Sequence, residues 1–368
     1  MQIKSNAVHR KVYRVLFKQG IYMSQWLDFK KNSRLREIYE KRLQITRLIR
    51  EFFWAQNFQE VETPIALKKP GQEPYLNPIT TLFHNPLGKK HKFYLQTSPE
   101  FAMKKLLAAG WTKIFQICKC FRDFESFGGI HNTEFTMIEW YRSPGKLEDI
   151  MNDIEKLFKF IAGQLNIQEV EYKNKKINVI GEWERLSMRE VWQKFLNVEL
   201  NNYLTIESIL KLVQSRDWQI SENDAYEDLF YKIFLNEIEP KLGFEKPVMI
   251  YDYPEQMTSL SCLSEEDSRY AERFELYIGG LELANAFGEL TDAAEQKKRL
   301  EADKEKRKQL NKEIWPVDSD FIFALESGIP KAGGIALGVD RLVMLFTGAK
   351  DINEVIFQAV GDQLDPIK

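Results

Sequence analysis

Apolar residues recur at three- and four-residue intervals through positions 34–56. Ile38, Ile45, Leu48, Ile49 and Phe52 fall on one stripe there, which predicts a long amphipathic helix. The helix runs into FQEVETPIA (58–66), a short strand pattern interrupted by Pro64. Proline cannot donate to a central ladder, so this strand belongs at a sheet edge or an interface. Positions 70–78 hold three prolines and a glycine and predict a loop. FYLQT (93–97) predicts a strand, and a helix follows it with Pro99 in its first turn and Gly110 as its stop. Positions 113–124 alternate as a strand, GGIHN turns the chain, and 133–142 alternate again, so the two predict an antiparallel hairpin with a long loop. The stretch 146–240 is mostly helical in pattern, with one strand expected at 176–180, and predicts a helical insertion. PVMIYDYP (247–254) predicts a strand, 272–292 two strands around Gly279–Gly280, and 293–316 a highly charged helix. Helices laid on an antiparallel sheet make an α+β domain.

Composition narrows the class of molecule. The chain has 368 residues, is 44% hydrophobic and 29% charged, and carries a formal net charge of -2. That is a globular balance without the basic field that would advertise a nucleic-acid binder. No apolar run reaches the length of a membrane span. The charged helix holds eight Lys/Arg and three Asp/Glu within 297–312; the mixed signs predict a solvated face with a lean towards an acidic partner. The three cysteines, Cys118, Cys120 and Cys262, are odd in number and lack zinc spacing. Cys118 and Cys120 are expected on opposite faces of their strand, and the chain is expected in the cytoplasm without disulfides. Residues 1–22 carry five Lys/Arg and no acid. A transit peptide, a basic tail and an over-called extension ahead of Met23 all fit, the last best, because the globular pattern begins near Leu35. The expected organisation is an N-terminal extension over 1–33 and one catalytic domain over 34–368.

Three stretches carry candidate chemistry. GGIALGVDR (333–341) gathers Gly333, Gly334 and Gly338 ahead of Arg341. Bare backbone admits a flat ligand or a second chain, and an arginine at the mouth of such a gap suits a phosphate. A tight strand-to-helix packing joint would look the same. On the returning strand of the hairpin, Phe135, Met137, Glu139 and Tyr141 share one face. A glutamate in such a face either lines a pocket for a cation or pairs with a neighbour. In GLELANAFGELTD, Glu282 and Glu289 lie seven apart with Asn285 between them, a set that could hold hydrated Mg²⁺ against phosphate oxygens or simply mark a surface strand. With Arg122 at the end of the outgoing strand, Arg341 completes a pair of arginines facing carboxylates, a clamp for a phosphoryl group.

Together these stretches resemble the catalytic core of the class II aminoacyl-tRNA synthetases. EVETP, FRDFESFGGIHNTEF and GGIALGVDR stand in the order of that family's three motifs, and TSPEFAMK, HNTEFTMIEWY and ELANAFGELTDA resemble its lysine branch. Only some 35 residues precede the first helix, too few for an anticodon-binding barrel. The resemblance is therefore to the freestanding elongation factor P lysine ligases. It implies an antiparallel sheet flanked by helices, ATP and Mg²⁺, activation of (R)-β-lysine or lysine as an adenylate, transfer to elongation factor P, and a homodimer, without membrane or tRNA binding. A truncated lysyl-tRNA synthetase and an inactive paralogue acting as a binding subunit are the rival readings.

The resemblance also implies roles. Ser98, Pro99, Glu100, Glu139, Tyr141, Glu289 and Ala336 would meet the amino acid. Arg122, Asp123, Glu125, Asn132, Glu282, Leu283, Gly338 and Arg341 would meet ATP. Glu282 and Glu289 would hold the metal, and Arg122, Glu289 and Arg341 would carry the chemistry. Ala336 stands where tRNA-charging relatives usually have glycine. DFES follows Arg122 where the family usually has NE, the loop to His131 is one residue longer, and NAF replaces NGF at 285–287.

Overall fold

The computed structural model describes residues 25–363 apart from Asn223. The basic stretch 1–22 and Met23 lie outside the described residues. Helix α1 (Gln25–Lys31) leads into α2 (Ser33–Ala55). Asn32 caps α2 by accepting hydrogen bonds from the amides of Arg34 and Leu35. The segment 25–31, expected to stand outside the domain, packs onto it instead. The Phe29 ring lies 5.5 Å from Tyr39 and 5.2 Å from Phe357, which joins the two ends of the described chain. A single amphipathic turn pattern is too short to announce such a helix from sequence.

The strands follow in chain order: β1 (Gln59–Glu60), β2 (Ala66–Leu67), β3 (Thr80–His84), β4 (Lys90–Leu95), β5 (Lys113–Phe121) and β6 (Glu134–Arg142). Between β4 and β5 runs α3 (Glu100–Ala108). After β6 come α4 (Leu147–Leu165), β7 (Glu169–Tyr172), β8 (Lys175–Asn178), β9 (Glu184–Ser187), α5 (Met188–Leu196), α6 (Ile206–Gln214) and α7 (Tyr226–Ile233). The chain closes with β10 (Val248–Pro254), β11 (Tyr270–Ile278), β12 (Leu281–Gly288), α8 (Ala293–Gln309), α9 (Ser319–Glu326), β13 (Gly333–Gly338) and α10 (Val339–Thr347).

Eight strands form one sheet in the order β1-β5-β6-β13-β12-β11-β10-β9. Only the outer pairs, β1 with β5 and β9 with β10, are parallel. The expected hairpin pairs Lys113 with Arg142 through to Phe121 with Glu134. Gly279 and Gly280, both at positive φ, turn β11 into β12. One face of the sheet buries α2, α4 and α10 through Ile49, Phe53, Ile154, Phe158, Leu342 and Phe346. The other face buries α3, α8 and α9 through Met103, Leu107, Leu300 and Phe321.

Several expectations are corrected here. The stretch 146–240 is not one helical insertion: α4 belongs to the main core, β7 and β8 form a hairpin, and β9 extends the main sheet. A separate apolar cluster begins at Met188 and includes Trp192, Phe230 and Tyr253. Cys118 and Cys120 share a face, with their sulfurs 3.9 Å apart, because residues two apart on a strand point the same way. Both are free thiols. The charged helix ends at Gln309, and it is not solvated all round. Arg307 is buried and donates to the carbonyls of Glu73, Leu76 and Glu313, with its guanidinium 4.2 Å from the Trp315 ring.

Candidate active site

The central strands build the floor of a cavity of about 340 Å³. Register sets its rows. Glu139, Ala336 and Asn285 are neighbours across β6, β13 and β12, and Tyr141, Gly334 and Phe287 form the next row. Paired residues across a sheet present their side chains to the same face. Phe135, Met137, Glu139 and Tyr141 therefore all line the cavity, as their alternation predicts.

The glycines of the 333–341 stretch answer different needs. A Cβ at Gly333 would run 2.8 Å from the Lys146 carbonyl, and one at Gly334 would collide with Tyr141 and Glu289. These two are packing joints. A Cβ at Gly338 would meet nothing closer than 3.8 Å. The protein leaves space there, so bare backbone at Gly338 is open to a flat ligand. Asp340, lining the same cavity, is tied elsewhere: it pairs with Arg42 of α2 and accepts from the Thr136 amide at 2.6 Å.

One end of the cavity is anionic. Glu139 accepts from Ser98 Oγ at 2.5 Å and from the Tyr141 hydroxyl at 2.7 Å. Glu100, at the start of α3, and Glu289, just past β12, each lie 2.5 Å from the ammonium of Lys104. Lys104 is 1% exposed. Burial works against its charge, yet Glu100 and Glu289 outweigh burial and hold the ammonium more firmly protonated than usual. Burial, with Glu100 adding to it, pushes Glu139 up to about 8. Burial pushes Glu289 up to about 7, with Lys104 opposing. Lys104 escaped the sequence analysis because a Glu–Lys pair four apart on a helix ordinarily marks a solvated face. The apolar Met103 and Leu107 beside it are the signal that this turn is buried.

The other end is cationic. Arg341 donates to the Glu282 carbonyl at 2.8 Å and the Ile130 carbonyl at 3.2 Å, and stands 3.8 Å from the Glu282 carboxylate. Burial and Glu275 raise Glu282 against the pull of Arg341. Arg122 packs its guanidinium 5.1 Å from the Phe135 ring, and its buried Nε has no protein partner. Asn132 is 3% exposed with both amide atoms unpartnered, which marks a group built for a ligand. Glu125 reaches the cavity across the longer loop and pairs with His131 at 2.9 Å, whose Nε2 lies 3.5 Å from Arg341. Burial and Arg341 hold His131 below the usual imidazole range. Leu283 and Ala336 also line the wall.

Two expected site residues are not brought in. The Asp123 carboxylate caps the Phe124 amide at 3.0 Å, and Pro99 is buried as the N-cap of α3; neither lines the cavity. Glu282 and Glu289 face different partners, so they do not act as one carboxylate pair. Among the described residues no group of three or more His, Cys, Asp or Glu side chains is gathered around a metal site. A Mg²⁺ held mainly by phosphates needs only one or two carboxylates, and Glu282 fits that need.

The raised carboxylates carry a pH dependence. A carboxyl that holds its proton more tightly when folded favours the fold at low pH, and that contribution is lost as pH rises from the unfolded range near 4.5 through about 7 to 8. The empty protein is expected to lose thermal stability across pH 5–8. A ligand carrying ammonium groups should stabilise it more at pH 8 than at pH 6. Thermal unfolding with and without lysine across that range checks both; a flat profile would mean these carboxylates are ionised throughout.

Residues 19–359 match the family described as tRNA synthetases class II (D, K and N). The chain is similar to proteins named elongation factor P--(R)-beta-lysine ligase. It is 37% identical to the one from Haemophilus influenzae, over 88% of this chain and 94% of that protein. For Pseudoalteromonas translucida the identity is 40%, over 86% and 93%, and for Proteus mirabilis 37%, over 91% and 98%.

Proposed function

This chain belongs to the class II tRNA synthetase (D, K and N) family, and from that premise we propose that it is an ATP-dependent ligase that activates (R)-β-lysine and passes it to a lysine of elongation factor P. The observation that carries this reading is the polarity of the cavity. Two buried carboxylates, Glu139 and Glu289, and the half-buried Glu100 gather at one end, where the single buried cation Lys104 pairs with Glu100 and Glu289. Arg122 and Arg341 occupy the other end. Such a cavity fits a molecule with two ammonium groups at its head and a phosphate-activated carboxylate at its tail.

In this reading Glu100, Glu139 and Glu289 hold the two amines, with Ser98 and Tyr141 orienting Glu139. The substrate carboxylate attacks the α-phosphorus of ATP, pyrophosphate leaves, and the acyl-adenylate stays bound. Arg122 and Arg341 neutralise charge on the phosphates, Asn132 and Glu125 bound the nucleotide side, and Gly338 leaves room for a flat ring. Glu282 would hold Mg²⁺, which supplies charge neutralisation for the leaving pyrophosphate; Glu289, already paired with Lys104, is left to the amine end. No protein nucleophile is required, so positioning and fixed charges provide the acceleration. The family's dimer is part of the proposal: Leu43, Trp54 and Ile65 leave apolar surface uncovered along α2 and the proline-bearing segment after it. A cytoplasmic location follows from the partner; no described helix is long and apolar enough to cross a membrane.

Pyrophosphate exchange with lysine and β-lysine, followed by labelling of elongation factor P or tRNA, tests the reading. Exchange with either amino acid and label on the protein factor is expected. No exchange with any amino acid would leave a binding subunit, and label on tRNA alone would leave a truncated synthetase.

Ala336 adjoins Glu139 and Asn285 in the floor, so its methyl shapes the space beside the amine. Ala336→Gly is expected to shift the ratio of kcat/KM for β-lysine over lysine roughly tenfold towards lysine, the scale of one methyl group in a pocket. An unchanged ratio would remove Ala336 from isomer selection.

A further inference from the structure

We propose that Glu73 is the proton acceptor of the transfer step, taking a proton from the acceptor lysine as its amine attacks the bound adenylate. The inference rests on the function proposed above.

Glu73 sits in the proline-rich loop 70–78, and that loop is hydrogen-bonded to the segment 307–315 at several points. Buried Arg307 donates to the carbonyls of Glu73 and Leu76, each at 2.8 Å. Gln72 Nε2 donates to the Trp315 carbonyl at 3.2 Å, and Trp315 Nε1 donates back to the Pro70 carbonyl at 3.0 Å. Lys312 donates to the Pro74 carbonyl at 2.8 Å. The Glu73 side chain folds back over Gly71, where a Cβ would run into its carboxylate. A loop this restrained aims one side chain reproducibly.

That side chain is tied only to its own main chain. The Glu73 carboxylate accepts from its own backbone amide, and no ion pair among the described residues engages it, whereas Glu100, Glu282 and Glu289 each pair with a cation and Glu139 with two hydroxyls. Burial raises it, Glu100 raises it further, and its own amide, Arg122 and Arg307 pull it down. The groups that act on it thus include one from the amine end of the cavity and one from the phosphate end. The acyl–phosphate bond of an adenylate would lie between those two ends.

Glu73 also forms wall common to two spaces. It lines the main cavity, and with Ser98, Glu100, Leu67 and Phe101 it lines a smaller adjoining one of about 50 Å³. An adenylate that filled the first would leave the second beside Glu73 as the space for an incoming amine.

The chemistry needs such a group, because an alkylammonium has no lone pair. The ε-ammonium gives one proton to Glu73, and the freed pair forms the new C–N bond at the acyl carbon. The acyl C–O bond breaks with its electrons passing to the phosphate of AMP. The nitrogen's second proton follows to the departing phosphate, which leaves a neutral amide. A carboxylate whose proton affinity is raised by its surroundings is suited to this exchange near neutral pH.

Glu73→Gln separates this role from the first half-reaction. Pyrophosphate exchange should stay within about twofold of wild type, while single-turnover transfer from preformed adenylate to elongation factor P falls about 100-fold. The residual rate should climb with pH as free amine accumulates. Hydroxylamine, unprotonated at neutral pH, should trap the adenylate at the wild-type rate. Glu73→Asp should recover part of the transfer. Wild-type transfer by Glu73→Gln would overturn the proposal. So would a proportional loss of exchange, trapping and transfer, which would assign Glu73 to amino-acid binding or to the loop. Absence of exchange in the wild-type protein would instead overturn the ligase reading itself.

Discussion

Arg341→Ala should lower pyrophosphate exchange by about 1000-fold while the protein remains folded. The guanidinium is braced by two carbonyls, one from β12 and one from the hairpin loop, so it is aimed before any ligand arrives. A fixed cationic donor facing developing phosphate charge is worth about 3–4 kcal/mol in the transition state. The side chain is only half-buried, and its loss removes hydrogen bonds to carbonyls that can rotate to water, so the thermal midpoint should move by a few degrees at most. Arg341→Lys should rescue poorly, because an ammonium cannot keep both carbonyl braces and still present a planar fork. Full exchange by the alanine variant would show that the phosphates lie elsewhere.

Lys104→Met should be the most destabilising change in the cavity. Methionine replaces the four-atom stem and omits the ammonium, so packing is largely kept and the charge is what disappears. Glu100 and Glu289 would then face each other, with Glu139 nearby, without a buried cation. Breaking a buried pair by removing one partner costs about 3–5 kcal/mol, or about 5 °C for a chain of this size. The sign of the pH dependence is diagnostic. The abandoned carboxylates would gain protons in the folded state, so the deficit should be small near pH 5 and grow towards pH 8. Thermal unfolding at pH 5.5 and 8 measures it. An equal deficit at both would mean that packing rather than charge had been lost. In exchange assays the same variant should raise the KM for lysine more than it lowers kcat, since the residue arranges the amine end and touches no phosphate.

What could be read from the sequence follows from what has a period. The β5–β6 hairpin and the cavity face Phe135–Met137–Glu139–Tyr141 were legible because strand alternation fixes both pairing and facing. The same rule, properly applied, would have put Cys118 and Cys120 on one side. The strand expected at 176–180 is β8, but its partner β7 and the edge strand β9 were missed because four residues offer too few alternations to stand out among helical patterns. Arg307 was hidden in a run of mixed charges with no apolar stripe, and only its tertiary partners distinguish it from its solvated neighbours. Glu73 lies in a loop, where no period exists and position is set by a clamp from more than 200 residues away. The family resemblance placed Asp123 with the ligand, but a residue in a turn satisfies its own backbone first. The amine-end glutamates were within reach of motif and resemblance; the lysine balancing them was not, since it completes a charge count that only folding assembles.

The neighbours Asp340 and Arg341 divide two tasks across one peptide bond. Asp340 anchors the start of α10 to Arg42 on the outer helix and to the Thr136 amide, and Arg341 then extends into the cavity from that anchored turn. The arginine's aim is therefore inherited from the long N-terminal helix. A helix that leaves Leu43 and Trp54 exposed on its outer side thus holds, through one ion pair, the turn from which Arg341 reaches the cavity.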